Sequence, residues 1–161
     1  MPIISSSSSS YVVALAIRDL PREIYAILNS RGNGRSHWTF SLCLTPTKMM
    51  KIHATAPSPD QQWLLEAVEH DITGRDFVDC TMPVPSDNII DLLCTVPLEM
   101  PAIDVDIEPK FSCRVWRKQA VHMLSGAGLL RCNDVYALEA EIVGYTEAND
   151  ENVRRGEQVF L

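Results

Sequence analysis

Ser36-His37-Trp38-Thr39-Phe40-Ser41-Leu42-Cys43-Leu44 alternates without a break. Trp38, Phe40, Leu42 and Leu44 fall on one side; His37, Thr39, Ser41 and Cys43 fall on the other. Period-two patterning predicts a half-buried strand with one apolar face and one face of small polar groups around His37. Thr45-Pro46-Thr47 turns the chain, and Lys48 to Thr55 predicts the next strand, carrying His53. His53 follows His37 by 16 residues across that turn. In an antiparallel pair the two imidazoles can be neighbours.

Working outward, Tyr11 to Ile17 predicts a buried strand, ended by Asp19-Leu20-Pro21. Pro21 to Ser30 predicts a short helix from Ile24, Ile27 and Leu28, with an irregular strand as the alternative. Gln61 to Ile72 fits both periods and is read as a strand, and Arg75 to Val84 as another. Ser86 has the chemistry of an N-cap for a helix running to about Thr95. Glu99 to Pro109 shows strand-like alternation in Ile103, Val105 and Ile107. Ser112 caps a helix from Cys113 to about Ser125, stopped by Gly126 and Gly128. Val135 to Val143 reads as a helix or a strand. The expected fold class is α+β: an antiparallel sheet of about five or six strands packed on two or three helices. The expected organisation is a flexible Ser-rich tail (1–10), one globular domain (11–146) and a polar C-terminal tail (147–161).

The 161 residues suffice for one domain with a real core, and 46% apolar with 22% charged residues is an ordinary globular composition. Fourteen Lys+Arg against 21 Asp+Glu give a net charge of −7, which argues against nucleic acid as a partner. The basic groups Arg114/Arg117/Lys118 and Arg154/Arg155 are expected on solvated faces. No apolar run approaches the roughly 20 residues of a membrane span. No basic region precedes an apolar core at the N-terminus, so no signal peptide is read there. Five cysteines (43, 80, 94, 113, 132) at irregular spacing, with no Cys-x-x-Cys pair, indicate neither a zinc site nor a disulfide framework. Reduced thiols in the cytoplasm are the simplest expectation, and no cofactor or metal is implied.

The second informative phrase is Phe111-Ser112-Cys113-Arg114-Val115-Trp116. A helix N-terminus and nearby cations favour a thiolate, and Cys113 alone among the cysteines sits at such a start. A histidine beside it can take and return a proton, with a third group fixing the imidazole tautomer. The candidate catalytic residues are therefore Cys113 as nucleophile, His37 as base and His53 as its orienting partner. Trp38, Arg114 and Trp116 are the candidate substrate contacts, although the tryptophans serve equally well as core.

The order His37-Trp38 in a strand, His53 in the next, then Cys113 opening a helix resembles the permuted papain-like fold of the lecithin:retinol acyltransferase-like proteins. That resemblance implies the same three roles for His37, His53 and Cys113. The family's cysteine phrase is typically Asn-Cys-Glu-His, where this chain has Ser112-Cys113-Arg114-Val115. The chain also resembles a family of small uncharacterised fungal proteins, through His37-Trp38, Cys113-Arg114-Val115-Trp116 and Gly128-Leu129. This likeness implies a shared fold and brings no established activity with it; fungal natural-product biosynthesis is the expected setting for the function below. The leading functional expectation is a thiol-dependent hydrolase, acyltransferase or cyclase acting on a small ester, thioester or amide. The alternatives are a non-catalytic small-molecule or protein-binding module, and a cofactor-free isomerase or cyclase using His37 as acid and base.

Overall fold

The computed structural model describes residues 12–16, 24–30, 36–45, 47–71, 87–148 and 159–160. The strands are β1 (Val12–Ala16), β2 (Ile24–Ser30), β3 (Ser36–Thr45), β4 (Lys48–Thr55), β5 (Leu64–Asp71) and β6 (Val159–Phe160). The helices are α1 (Asp87–Thr95), α2 (Cys113–Gly126) and α3 (Val135–Ala148). The sheet order is β5-β4-β3-β2-β1-β6. Consecutive strands pair antiparallel from β1 to β5, while β6 joins β1 in parallel. The class is α+β, an antiparallel sheet with three helices. The expected strand over 75–84 and the cap at Ser86 lie outside the described residues, as does the serine run. The stretch expected as a polar tail holds the end of α3 and β6.

β3 is central, and both of its faces are buried rather than one. Phe40 and Leu42 join Ile52 and Ala54 of β4 in a core with Trp116, Ala120, Val121 and Leu124 of α2. Ile89 and Leu93 of α1 and Val135 of α3 complete it, so all three helices contribute to one sheet face. The rings of Phe40 and Trp116 meet edge to face, with centroids 5.8 Å apart. His37, Thr39, Ser41 and Cys43 point to the opposite face and are buried there.

Two expectations change, and one open alternative resolves. Ile24–Ser30 is a strand, not a helix: seven consecutive partners along β3 override an ambiguous local pattern. The 99–109 stretch is a loop with a short 3-10 turn at Ala102–Asp104. Ile103, Val105 and Ile107 are exposed, whereas Asp104 and Glu108 are buried. The alternation is real but inside out, because the carboxylates have cationic partners inside. Val135–Ala148 is a helix, started by Asp134, whose Oδ1 accepts from the amides of Tyr136 (3.0 Å) and Ala137 (2.9 Å).

Ser112 caps α2 as read: its hydroxyl accepts from the Val115 amide at 3.3 Å. Gly128, at φ +70°, supplies the left-handed residue beyond the helix end. Among the described residues no helix is long and apolar enough to cross a membrane.

Cys43 is disulfide-bonded, while Cys94, Cys113 and Cys132 are free. This corrects the expectation of fully reduced thiols. In denaturant without reductant Cys43 is expected to resist alkylation, and to react only after reduction. Alkylation of Cys43 before reduction would contradict the bond.

Candidate functional site

β3 and β4 carry the two histidines on adjacent strands of one sheet face. His37 Nε2 lies 2.5 Å from His53 Nδ1, and the rings stand nearly perpendicular, 79° apart with centroids at 4.7 Å. His53 Nε2 in turn lies 2.6 Å from Glu66 Oε2. Glu66 is the partner of His53 in the β4–β5 register, so sheet pairing alone brings the carboxylate to the imidazole. The result is a hydrogen-bonded chain of Glu66, His53 and His37. It runs from a carboxylate 51% exposed to a histidine 8% exposed.

The chemistry of the three groups orders the protons. A carboxylate only accepts, so His53 Nε2–H donates to Glu66. Neutral His53 then has its lone pair on Nδ1, which accepts from His37 Nε2–H. Neutral His37 therefore carries its lone pair on Nδ1. In this arrangement Glu66 stabilises positive charge developing on the pair.

Cys113 is not brought to this chain. Trp38, Phe40, Ile52 and Ala54 face α2; His37 and His53 alternate to the other side of the sheet. Cys113 begins α2 and makes no hydrogen bond to either histidine. The apolar face of β3 attracts the helix and His37 alternates away from it, so the expected cysteine–histidine dyad is not brought into contact here. Trp38 and Trp116 are buried core residues. Arg114 is tied to Glu108 at 2.5 Å and to Glu139 at 3.4 Å.

The basic cluster is likewise not on a solvated face. Arg117 and Lys118 are each 1% exposed. Lys118 Nζ is bonded to Glu108 and lies 3.5 Å from Asp104 and 3.6 Å from Glu139. Burial pushes the Glu108 carboxyl up, but the bonds from Lys118 and Arg114 outweigh it and hold Glu108 below the usual carboxylate range. Tyr136 donates to Asp104 at 2.8 Å. Burial, then that bond, pushes the phenol up to about 12. A raised phenol favours folding fully below the ordinary tyrosine value near ~10 and loses that contribution as pH rises toward the folded value. The urea midpoint gap between wild type and Tyr136→Phe is therefore expected to narrow above pH ~10. A constant gap from neutral pH through that window would contradict the coupling.

Glu66, Arg117 and Lys118 were missing from the residues expected to matter. Glu66 had a usable signal, since it sits on the face of β5 that meets His53 once 64–71 is read as a strand. The buried cations had none, because nothing local marks a lysine as interior. Among the described residues no group of three or more His, Cys, Asp or Glu is arranged to hold a metal ion.

No protein family, curated protein or solved structure matches the chain.

Proposed function

We propose that the protein is an acid–base catalyst of the isomerase or cyclase type, acting on a small molecule through His37. The hydrogen-bonded chain from Glu66 through His53 to His37 carries this reading. His37 Nδ1 is buried in the resting structure; once a substrate reaches it, this nitrogen removes a proton from carbon next to a carbonyl. The C–H bond breaks, an N–H bond forms, and the electron pair moves into the enolate. The same N–H then delivers its proton to another atom of the substrate, restoring neutral His37. His53 and Glu66 are positioning residues: they fix the His37 tautomer and offset the charge of the imidazolium.

The permuted papain-like arrangement and thiol acyl transfer require Cys113 beside His37, and the opposite placement of α2 favours acid–base chemistry instead. The disulfide at Cys43 weighs against a cytoplasmic location, because such bonds are rare in reducing compartments.

The test is deuterium incorporation from D2O into a panel of small carbonyl compounds, followed by proton NMR. Exchange that is lost in His37→Gln, reduced in Glu66→Gln and retained in Cys113→Ser is expected. Turnover that survives His37→Gln but needs Cys113 would overturn the acid–base reading and restore the thiol one.

A further inference from the structure

Arg117 is a buried cation that the ion-pair network leaves out. The carboxylates of Asp104, Glu108 and Glu139 are drawn to Lys118 and Arg114. None of the ion pairs reaches Arg117, although its side chain is 99% removed from solvent. Its guanidinium carbon lies 3.9 Å from the centroid of the Trp38 ring. Stacking accounts for one flat face of the group and leaves its in-plane donors to be satisfied. Nε and Nη2 have no hydrogen-bond partner. These two nitrogens share one edge of the planar group, and their N–H bonds run parallel. That edge matches the two oxygens of a carboxylate.

The surroundings point the same way. Helical side chains lean toward the helix N-terminus, so Arg117 reaches back over the residue four positions earlier, which is Cys113. Burial pulls the Arg117 guanidinium down to about 10, and the charges of Glu139, Cys132 and Cys113 offset part of that without a direct ion pair. Cys113 is half-buried, so the first turn of α2 is partly open to solvent. Ser112 satisfies the Val115 and Trp116 amides, which leaves the Cys113 and Arg114 amides of that turn as donors with no acceptor inside the helix, and the helix dipole favours an anion there.

We propose that Arg117 holds the carboxylate of a small-molecule ligand through Nε–H and Nη2–H, with the ligand's remaining atoms passing Cys113. This site lies on the opposite sheet face from His37 and stands or falls independently of the acid–base reading.

Iodoacetate is a probe suited to the test, since it carries a carboxylate and alkylates thiols. The Cys113 sulfur displaces iodide from the methylene carbon: a C–S bond forms, C–I breaks, and the thiol proton leaves to solvent. Iodoacetamide is the neutral control. Peptide mass spectrometry reads the rate at Cys113, with exposed Cys94 as internal reference. The expected result is saturable labelling of Cys113 by iodoacetate. The iodoacetate-to-iodoacetamide rate ratio at Cys113 should exceed that at Cys94 by at least about tenfold. Acetate should protect Cys113 against both reagents, and sodium chloride at equal ionic strength should not. Arg117→Met and Arg117→Lys should abolish the preference. Met removes the charge and Lys keeps it without the fork, and Met also removes a buried unpaired cation, so that variant does not depend on the ligand to fold. The proposal is overturned by equal ratios at Cys113 and Cys94 in wild type, or by a preference that survives in both variants. The first outcome would assign the guanidinium edge to ordered water.

Discussion

Replacing Lys118 with Met is expected to lower stability at neutral pH by about 3–5 kcal/mol, the range for removing one partner of a buried ion pair. For a chain of this size that is a fall in Tm of roughly 6–20 °C. Methionine keeps the length and most of the packing of the lysine, so the loss is electrostatic. Lys118 faces Glu108, Asp104 and Glu139 while 1% exposed. Without it Asp104 keeps its bond from Tyr136, and Arg114 still serves Glu108 and Glu139, but three buried carboxylates then share too little positive charge. The pH dependence follows from the depressed Glu108 carboxyl. Its contribution is present above the ordinary glutamate value near ~4.3 and is lost as pH falls through its lower folded value. Removing Lys118 weakens that depression, so the gap between wild type and variant should narrow in acid. Thermal melts of both proteins at pH 7 and in the acid range check this. Equal Tm values at pH 7 would show that the cluster contributes nothing net.

The second large effect belongs to His37. A positioned general acid–base contributes typically 10²–10⁴-fold, so His37→Gln is expected to reduce proton exchange into a substrate by roughly that factor. Glutamine preserves a polar group of similar reach but has no nitrogen lone pair to take a proton. Glu66→Gln should cost less, because it leaves the base in place while removing the charge that supports its imidazolium. Cys113→Ser should leave exchange at the wild-type rate, since α2 packs on the other face of the sheet. An unchanged rate in His37→Gln would dismiss His37 as the reacting group.

Much of this arrangement is legible in one stretch of sequence. The alternation through Ser36–Thr45 and the turn after it place His37 and His53 on one face of neighbouring strands. The same alternation also turns both histidines away from Trp38 and Phe40. An amphipathic helix docks on the apolar side, so the separation of Cys113 from His37 was implicit in the pattern that paired the histidines. Motif order along the chain points to a cysteine–histidine dyad; the side of the strand on which His37 falls points away from it.

Glu66 was hidden because 61–72 fits both helical and strand periods, and register cannot be read until that choice is made. The loop at 99–109 has the pattern of a strand for a different reason. Ile103, Val105 and Ile107 alternate as a strand does, and only the distant Lys118, Arg114 and Tyr136 explain why the acidic residues turn inward. Long-range charge pairing leaves no periodic signature in a single sequence. The N-cap at Ser112 needs only its own first turn, and it was readable directly.

The hydrogen bonds run in one direction, from His37 through His53 to Glu66, and the ring nitrogens report that direction most directly. Long-range proton–nitrogen correlation NMR at neutral pH assigns each imidazole nitrogen as protonated or not. His53 should carry its proton on Nε2 and hold a lone pair on Nδ1, and His37 should carry its proton on Nε2. In Glu66→Gln the His53 preference should weaken, because an amide can donate as well as accept. A wild-type His53 protonated on Nδ1 rather than Nε2, unchanged by Glu66→Gln, would contradict the chain and remove the basis for acid–base catalysis by His37.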